Sequence, residues 1–170
     1  IDPEGAAQVV ESVGAIDILA NIAGGFTMGD SVADTSDETW DFMFNLNTRT
    51  VLNMARAVVP RMVERKSGKI INIGARAGLR GSASMAAYAA SKSVVIRLTE
   101  SLADELKEAG INVNCILPSI IDTERNRADM PNANFDQWVG PKALAKVVRF
   151  LASEAADPIH GAAIPVEGLS

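Results

Sequence analysis

The 170-residue chain has one cysteine, one histidine and one tyrosine, and aromatic residues make up only 5% of it. The lone Cys115 excludes an internal disulfide and fits a reducing, cytoplasmic setting. It sits in the apolar run "INVNCILP", which marks a buried, inert thiol rather than a nucleophile. One His and one Cys give no metal-ligating constellation, so no metal is expected. No apolar run reaches the ~18 residues that a bilayer span requires. No block of like charge forms a tail or basic arm, and the net charge of −5 argues against nucleic acid or an anionic membrane as partner. What remains is an ordinary globular composition, 48% hydrophobic and 22% charged, long enough for one domain with a sizeable core.

Along the chain, helical and strand patterns alternate. Asp2 can cap a helix over 3–14, with Pro3 at its first position and Gly14 at its end. "IDILANIAG" (16–24) reads as a strand buried on both faces. A long amphipathic helix follows over 36–65, capped at Thr35 or Ser36, with Trp40 in the core and a kink at Pro60. "GKIINIGA" (68–75) is a second strand, 84–109 a second long helix, and "INVNCILP" (111–118) a third strand. Residues 119–141 have little periodicity and read as a loop or lid with short helical pieces. A helix over 141–154 and a short strand in "AAIPVEG" close the chain. Alternation at this spacing predicts an α/β fold with a parallel sheet covered by helices. Ligands bind such sheets beyond the carboxyl ends of the strands, which places the informative positions just after residues 20, 74 and 117.

Those positions carry the candidate chemistry. "YAASK" places Tyr88 and Lys92 four apart, on one helical face. A phenol titrates near 10, and an ammonium one turn away stabilises the phenolate, so the pair can serve as a general acid/base. Taken alone it is a weak signal, and an amphipathic surface pair is the more ordinary reading. Around it stand Asn21-Ile22-Ala23-Gly24 after the first strand, Asn47 in the next helix, "NIGARAG" after the second strand and "PSIIDT" after the third.

In this order these elements resemble the later two-thirds of the short-chain dehydrogenase/reductase family: NxAG, a helical Asn, YxxxK, and Pro-x-x-x-x-Thr. The resemblance implies a Rossmann-type three-layer sandwich and an oxidoreductase using NAD or NADP on a small-molecule substrate. Tyr88 would exchange the proton. Lys92 would lower the pKa of Tyr88 and hold the nicotinamide ribose, and Asn47 would hold a relay water. Asn21, Ala23 and Gly24 would line the cofactor, while Pro118, Ser119, Ile121 and Thr123 would cover the nicotinamide. Helices 36–65 and 84–108 would form a homodimer or homotetramer interface, in keeping with the small and apolar residues on several faces of the second.

Two departures qualify this. The family's usual serine thirteen residues before the tyrosine is here Ala75, and losing such a donor lowers rates by ~10²–10³ where charge develops on oxygen. Dihydropteridine-reductase-like members of the family resemble the chain in this respect. They also resemble it in "AGGF" (23–26) and in "DTERNRADMPNANFDQW", and a quinonoid dihydropterin is electrophilic enough to dispense with the donor. Ser82 or Ser84 could instead supply the hydroxyl, or the chain could be a catalytically silent binding or assembly protein. Phe26 and Trp138, with Phe135 and Met130, are candidates to close over a flat substrate, ordinary packing being the alternative for the last three. Arg125 and Arg127 could order the lid through Asp122, Arg127 could instead face an anionic substrate, and His160 reads as a turn residue. Secondly, no GxxxGxG turn is present, so the fold is expected to be N-terminally truncated, with an open sheet edge and weak dinucleotide binding.

Overall fold

The computed structural model describes residues 2–170. Asp2 does cap α1 (Pro3–Val13): its carboxylate accepts from the Glu4 and Gly5 amides, both at 3.2 Å, and the helix stops at Gly14 with φ 83°. Four strands, β1 (Ile18–Asn21), β2 (Gly68–Ile73), β3 (Ile111–Pro118) and β4 (Ala163–Val166), form one sheet in that order, every pair parallel. The pairing aligns Asn21 with Asn72, Asn72 with Cys115 and Cys115 with Ala163. Parallel strands joined by helical crossovers are covered on both faces, which is why β3 is buried at every residue.

The first crossover contains α2 (Asp37–Phe44) and α3 (Thr50–Arg65), joined by a π-helical turn at Asn45–Arg49. Pro60 lies inside α3, which runs on to Arg65; the departure from α-helical geometry falls at 45–49 instead. Helix α4 (Ala86–Leu106) leads to β3. Between β3 and β4 lie α5 (Glu124–Asp129), a short 3₁₀ turn at Phe135–Gln137 and α6 (Pro141–Leu151). Ser36 caps α2 through the Thr39 amide. Trp40 at the head of that helix is 40% exposed and stacks on Phe44 (4.9 Å between centroids), so it is a surface residue rather than the core residue its helical spacing suggests.

Alternate strand residues face opposite layers. Leu19, Ile70 and Val113 pack with Val58 and Met62 of α3, Ala103 and Leu106 of α4, and Val10 of α1. Ile71 and Ile116 face the other way, towards Leu144 and Leu151 of α6. A buried polar chain ties the first layer to the sheet. The Asn21 amide donates to Asn72 Oδ1 (2.8 Å), the Asn72 amide to Thr99 Oγ1 (2.9 Å), and Thr99 to the Val95 carbonyl (2.8 Å). Strand β1 is one edge of the sheet; Ile18 on it and Ile22 just past its end are exposed. Among the described residues, no helix is long and apolar enough to cross a membrane.

Candidate functional site

The carboxyl ends of β1, β2 and β3 open into a cleft of about 460 Å³. Three segments supply its floor. Gly24 and Gly25 follow β1, Gly74 and Ala75 follow β2, and Tyr88 and Lys92 project from the first two turns of α4. Pro118, Ser119 and Ile121 close one side after β3. Phe26 meets Tyr88 edge-on, with ring centroids 4.8 Å apart.

Lys92 is buried, and its ammonium donates to the Ile73 carbonyl at 2.9 Å. Among the described residues it makes no ion pair, and burial lowers its pKa to about 8, with a smaller opposing contribution from Cys115. Burial also raises the Tyr88 phenol above its ordinary value of 10. In this structure desolvation therefore governs the phenol, and the depression expected from the neighbouring ammonium does not emerge. Cys115, immured beneath Lys92, is pushed up to about 11 by burial, which leaves it a thiol.

Asn47 sits in the π-helical turn, a distortion frequent at functional positions. Its Oδ1 accepts from the Gly25 amide (2.8 Å), and its Nδ2 donates to the Gly25 carbonyl (3.0 Å) and to Ser91 Oγ (3.0 Å). Ser91 in turn donates to the Tyr88 carbonyl at 2.8 Å. Asn47 thus braces the glycine loop against the helix that carries Tyr88 and Lys92. A Cβ on Gly24 would fall 2.9 Å from Asn47 Oδ1 and 3.1 Å from Lys92 Nζ, so those two atoms are at most about 6 Å apart, a span one bridging water can fill. Both glycines leave room for neighbouring side-chain ends: a Cβ on Gly25 would lie 2.5 Å from Leu46 Cδ2, which would have to shift.

Other expected residues fall elsewhere. Asn21 lies beneath the cleft in the buried polar chain, and Ala23 is exposed beside it. The Ser119 hydroxyl is committed to the Glu167 carbonyl and to Ser170. The Thr123 hydroxyl accepts from the Asn126 amide as the cap of α5. Ser82 is exposed, and Ser84 lines a small depression with Thr27 and Thr39; neither borders the Tyr88 cleft, whereas Ala75 does, buried in extended backbone. Trp138 is buried against Phe135, outside the cleft lining, so it follows the packing alternative rather than the lid. Arg127 pairs with Asp122 through two bonds (2.6 and 2.8 Å) and lies over the Phe135 ring, in keeping with the lid-ordering alternative. His160 is at the opposite end of the sheet, near Asn112.

The sequence pattern missed the contribution of α5, whose Arg125, Asn126 and Asp129 form part of the cleft wall, and of Phe42 and Leu46, which line it from the first crossover. The signal for α5 was present: Thr123 caps a turn on which residues 125 and 129 share a face.

A cation of lowered pKa, a phenol and a backbone without side chains at Gly24 and Gly25 fit the ribose–nicotinamide end of a dinucleotide. No GxxxGxG turn exists in this chain to hold the pyrophosphate. Residues 4–134 match the family model for short chain dehydrogenase. A 3-oxoacyl-(acyl-carrier-protein) reductase of Thermotoga maritima is 33% identical over 172 residues, covering 95% of this chain and 68% of the relative. Among solved structures, a 3-oxoacyl-(acyl-carrier-protein) reductase from Agrobacterium tumefaciens with NADP bound aligns at TM-score 0.88 and 26% identity. That alignment covers 98% of this chain and 69% of the other. A 4-hydroxyisoleucine dehydrogenase complexed with NADH aligns at TM-score 0.85 and 29% identity, over 98% and 76%.

Proposed function

Because the chain belongs to the short chain dehydrogenase family, we propose that it forms the proton-exchanging, nicotinamide-facing half of an NAD(P)-dependent oxidoreductase site. The bound nicotinamide supplies or accepts the hydride. Lys92 and the backbone of Gly24 and Gly25 hold the ribose end, while Pro118 and Ile121 cover the ring and keep water away. Tyr88 gives its proton to the substrate in the reducing direction and takes one in the oxidising direction. Lys92 stabilises the phenolate left behind, and a water held between Asn47 and Lys92 returns the proton from solvent. NADP and NADH in the related structures support a nicotinamide cofactor of either kind.

The observation that carries the substrate reading is Ala75. It borders the cleft where the family's usual serine would stand, and neither Ser82 nor Ser84 borders it in exchange. With Tyr88 as the single proton donor, the site suits an acceptor electrophilic enough to take hydride without a second hydrogen bond. A quinonoid dihydropterin meets that requirement, and its flat ring suits the Phe26–Tyr88 corner. A simple ketone, which develops charge on oxygen, is disfavoured.

The test is NAD(P)H oxidation by purified protein carrying this chain, with quinonoid dihydropterin and with small ketones. Preference for the pterin supports the reading; turnover of ketones alone overturns it. Tyr88→Phe is expected to lower turnover by at least ~10²-fold while leaving cofactor affinity in place. Cofactor binding without turnover of any acceptor would point instead to a silent binding protein. Sedimentation of the same sample tests the homodimer or homotetramer expected through helices 36–65 and 84–108, and a pure monomer would count against it.

A further inference from the structure

Three features of the molecule are unclaimed by the chemistry above: the groove at the amino ends of the strands, the open β1 edge, and the α5 wall of the cleft. The first is a closed set of internal bonds among Lys69, Asn112 and Asp157, and nothing in the structure shows what covers the second. The third carries an inference.

We infer that Asp129 is the specificity carboxylate of the site, accepting two parallel hydrogen bonds from a substrate ring edge that presents an amidine or guanidine pattern of adjacent N–H groups. This rests on the dihydropterin reading and sharpens it, since the 2-amino and N3–H groups of a pterin form such an edge.

Three observations carry the assignment. Asp129 borders the same cleft as Tyr88 and Lys92, on a different element, α5. It is the one carboxylate on that lining, so a cationic or multiply donating ring edge entering the cleft finds a single acceptor of matching geometry. The helix that carries it is anchored at its start, and its own carboxylate, 64% exposed, is left free to accept. Thr123 caps α5 through the Asn126 amide, the Asn126 side chain donates to the Ile121 carbonyl (2.8 Å), and Arg125, one turn earlier, stands 3.8 Å from the Asp129 carboxylate. At that distance, with both side chains largely exposed, Arg125 leaves the carboxylate unoccupied, unlike Arg127 on Asp122. Arg125 also lines the cleft, where its guanidinium can donate to a ring carbonyl next to the amidine edge.

The test compares two quinonoid acceptors in the NAD(P)H assay: 6-methyl dihydropterin and its analogue lacking the 2-amino group. The wild-type protein is expected to favour the 2-amino compound in kcat/KM, through KM. Asp129→Asn, which keeps shape but loses charge and one acceptor, is expected to shrink that preference about tenfold, and Asp129→Glu to restore part of it. The pH profile of kcat, set by Tyr88 and Lys92, is expected to keep its form in all three proteins. Reduction of both compounds with a preference that Asp129→Asn does not alter would overturn the inference and leave the dihydropterin reading standing. Reduction of neither would overturn the reading itself, and the inference with it.

Discussion

Each end of the sheet holds a largely buried lysine, and their surroundings differ in one respect. Lys69, near the amino end of β2, forms an ion pair with Asp157 and donates to Asn112 Oδ1 (2.7 Å), while Asn112 donates to the Asp157 and Ile159 carbonyls (2.8 and 3.1 Å). Lys92, at the carboxyl end, has the Ile73 carbonyl and, among the described residues, no acid. The first network satisfies its charges internally and holds β2, β3 and the segment before β4 together. The second leaves a charge undercompensated beneath a cleft, where its pKa falls to about 8. Burying a charge without a partner lowers stability, and such groups persist where chemistry uses them.

The largest way to break this comparison is Lys92→Met. On the proposed reading the phenolate and the ribose lose their cation, and turnover is expected to fall by ~10²–10³. Stability is expected to move the other way. A lysine whose folded pKa is depressed is charged in both states below about 8, so folding carries the full burial penalty there. The penalty fades as pH rises from about 8 towards 10.5, where the folded protein has shed the proton that the unfolded chain keeps. Removing the charge relieves up to about 3 kcal/mol at pH 7, less about 1 kcal/mol for the Ile73 carbonyl left without its donor. A thermal midpoint higher by roughly 2–5 °C at pH 7, with the gain shrinking by pH 10, is the expected result. A midpoint that drops at pH 7 would mean that Lys92 is a structural lysine like Lys69. The wild-type enzyme is expected to lose turnover as pH rises through about 8, with the ammonium.

A smaller effect sharpens the same comparison without touching a charge. Gly24→Ala would place a methyl group 2.9 Å from Asn47 Oδ1 and 3.1 Å from Lys92 Nζ. The lysine end is the softer neighbour and gives way, so the expected outcome is a loss of about tenfold in kcat/KM with an unfolding midpoint within a few degrees of wild type.

The alternation of helix and strand was legible in the sequence because parallel strands buried on both faces must be apolar runs, as "GKIINI" and "INVNCILP" are. Tyr88 and Lys92 were legible because helical spacing alone puts them on one face. What stayed hidden depends on how distant segments meet. Pro60 carried an expected kink, yet the helix departs from α geometry at Asn47, whose bonds to Gly25 and Ser91 reach 22 and 44 residues away in sequence. Trp138 was a candidate for the cleft, but the chain buries it against Phe135. The wall it was expected to form comes from α5. The pKa directions were also beyond reach, since burial rather than sequence distance decides them.

The smallest effect is expected from Lys69→Met, the counterpart at the paired end. Asp157 is 60% exposed, so its charge passes to water when the partner is removed, and an ion pair of that kind contributes at most about 1 kcal/mol. The buried Asn112 loses the donor to its Oδ1 but keeps both bonds from its Nδ2, which hold the segment before β4. A midpoint lower by about 2–4 °C at pH 7, with turnover as in wild type, is the expected outcome. The sign is the informative quantity. Two lysine-to-methionine changes at opposite ends of one sheet would shift stability in opposite directions, because one cation has a carboxylate beside it and the other, among the described residues, has none. Destabilisation by both, of similar size, would remove the distinction between the two ends and with it the stability argument for Lys92 as a functional group.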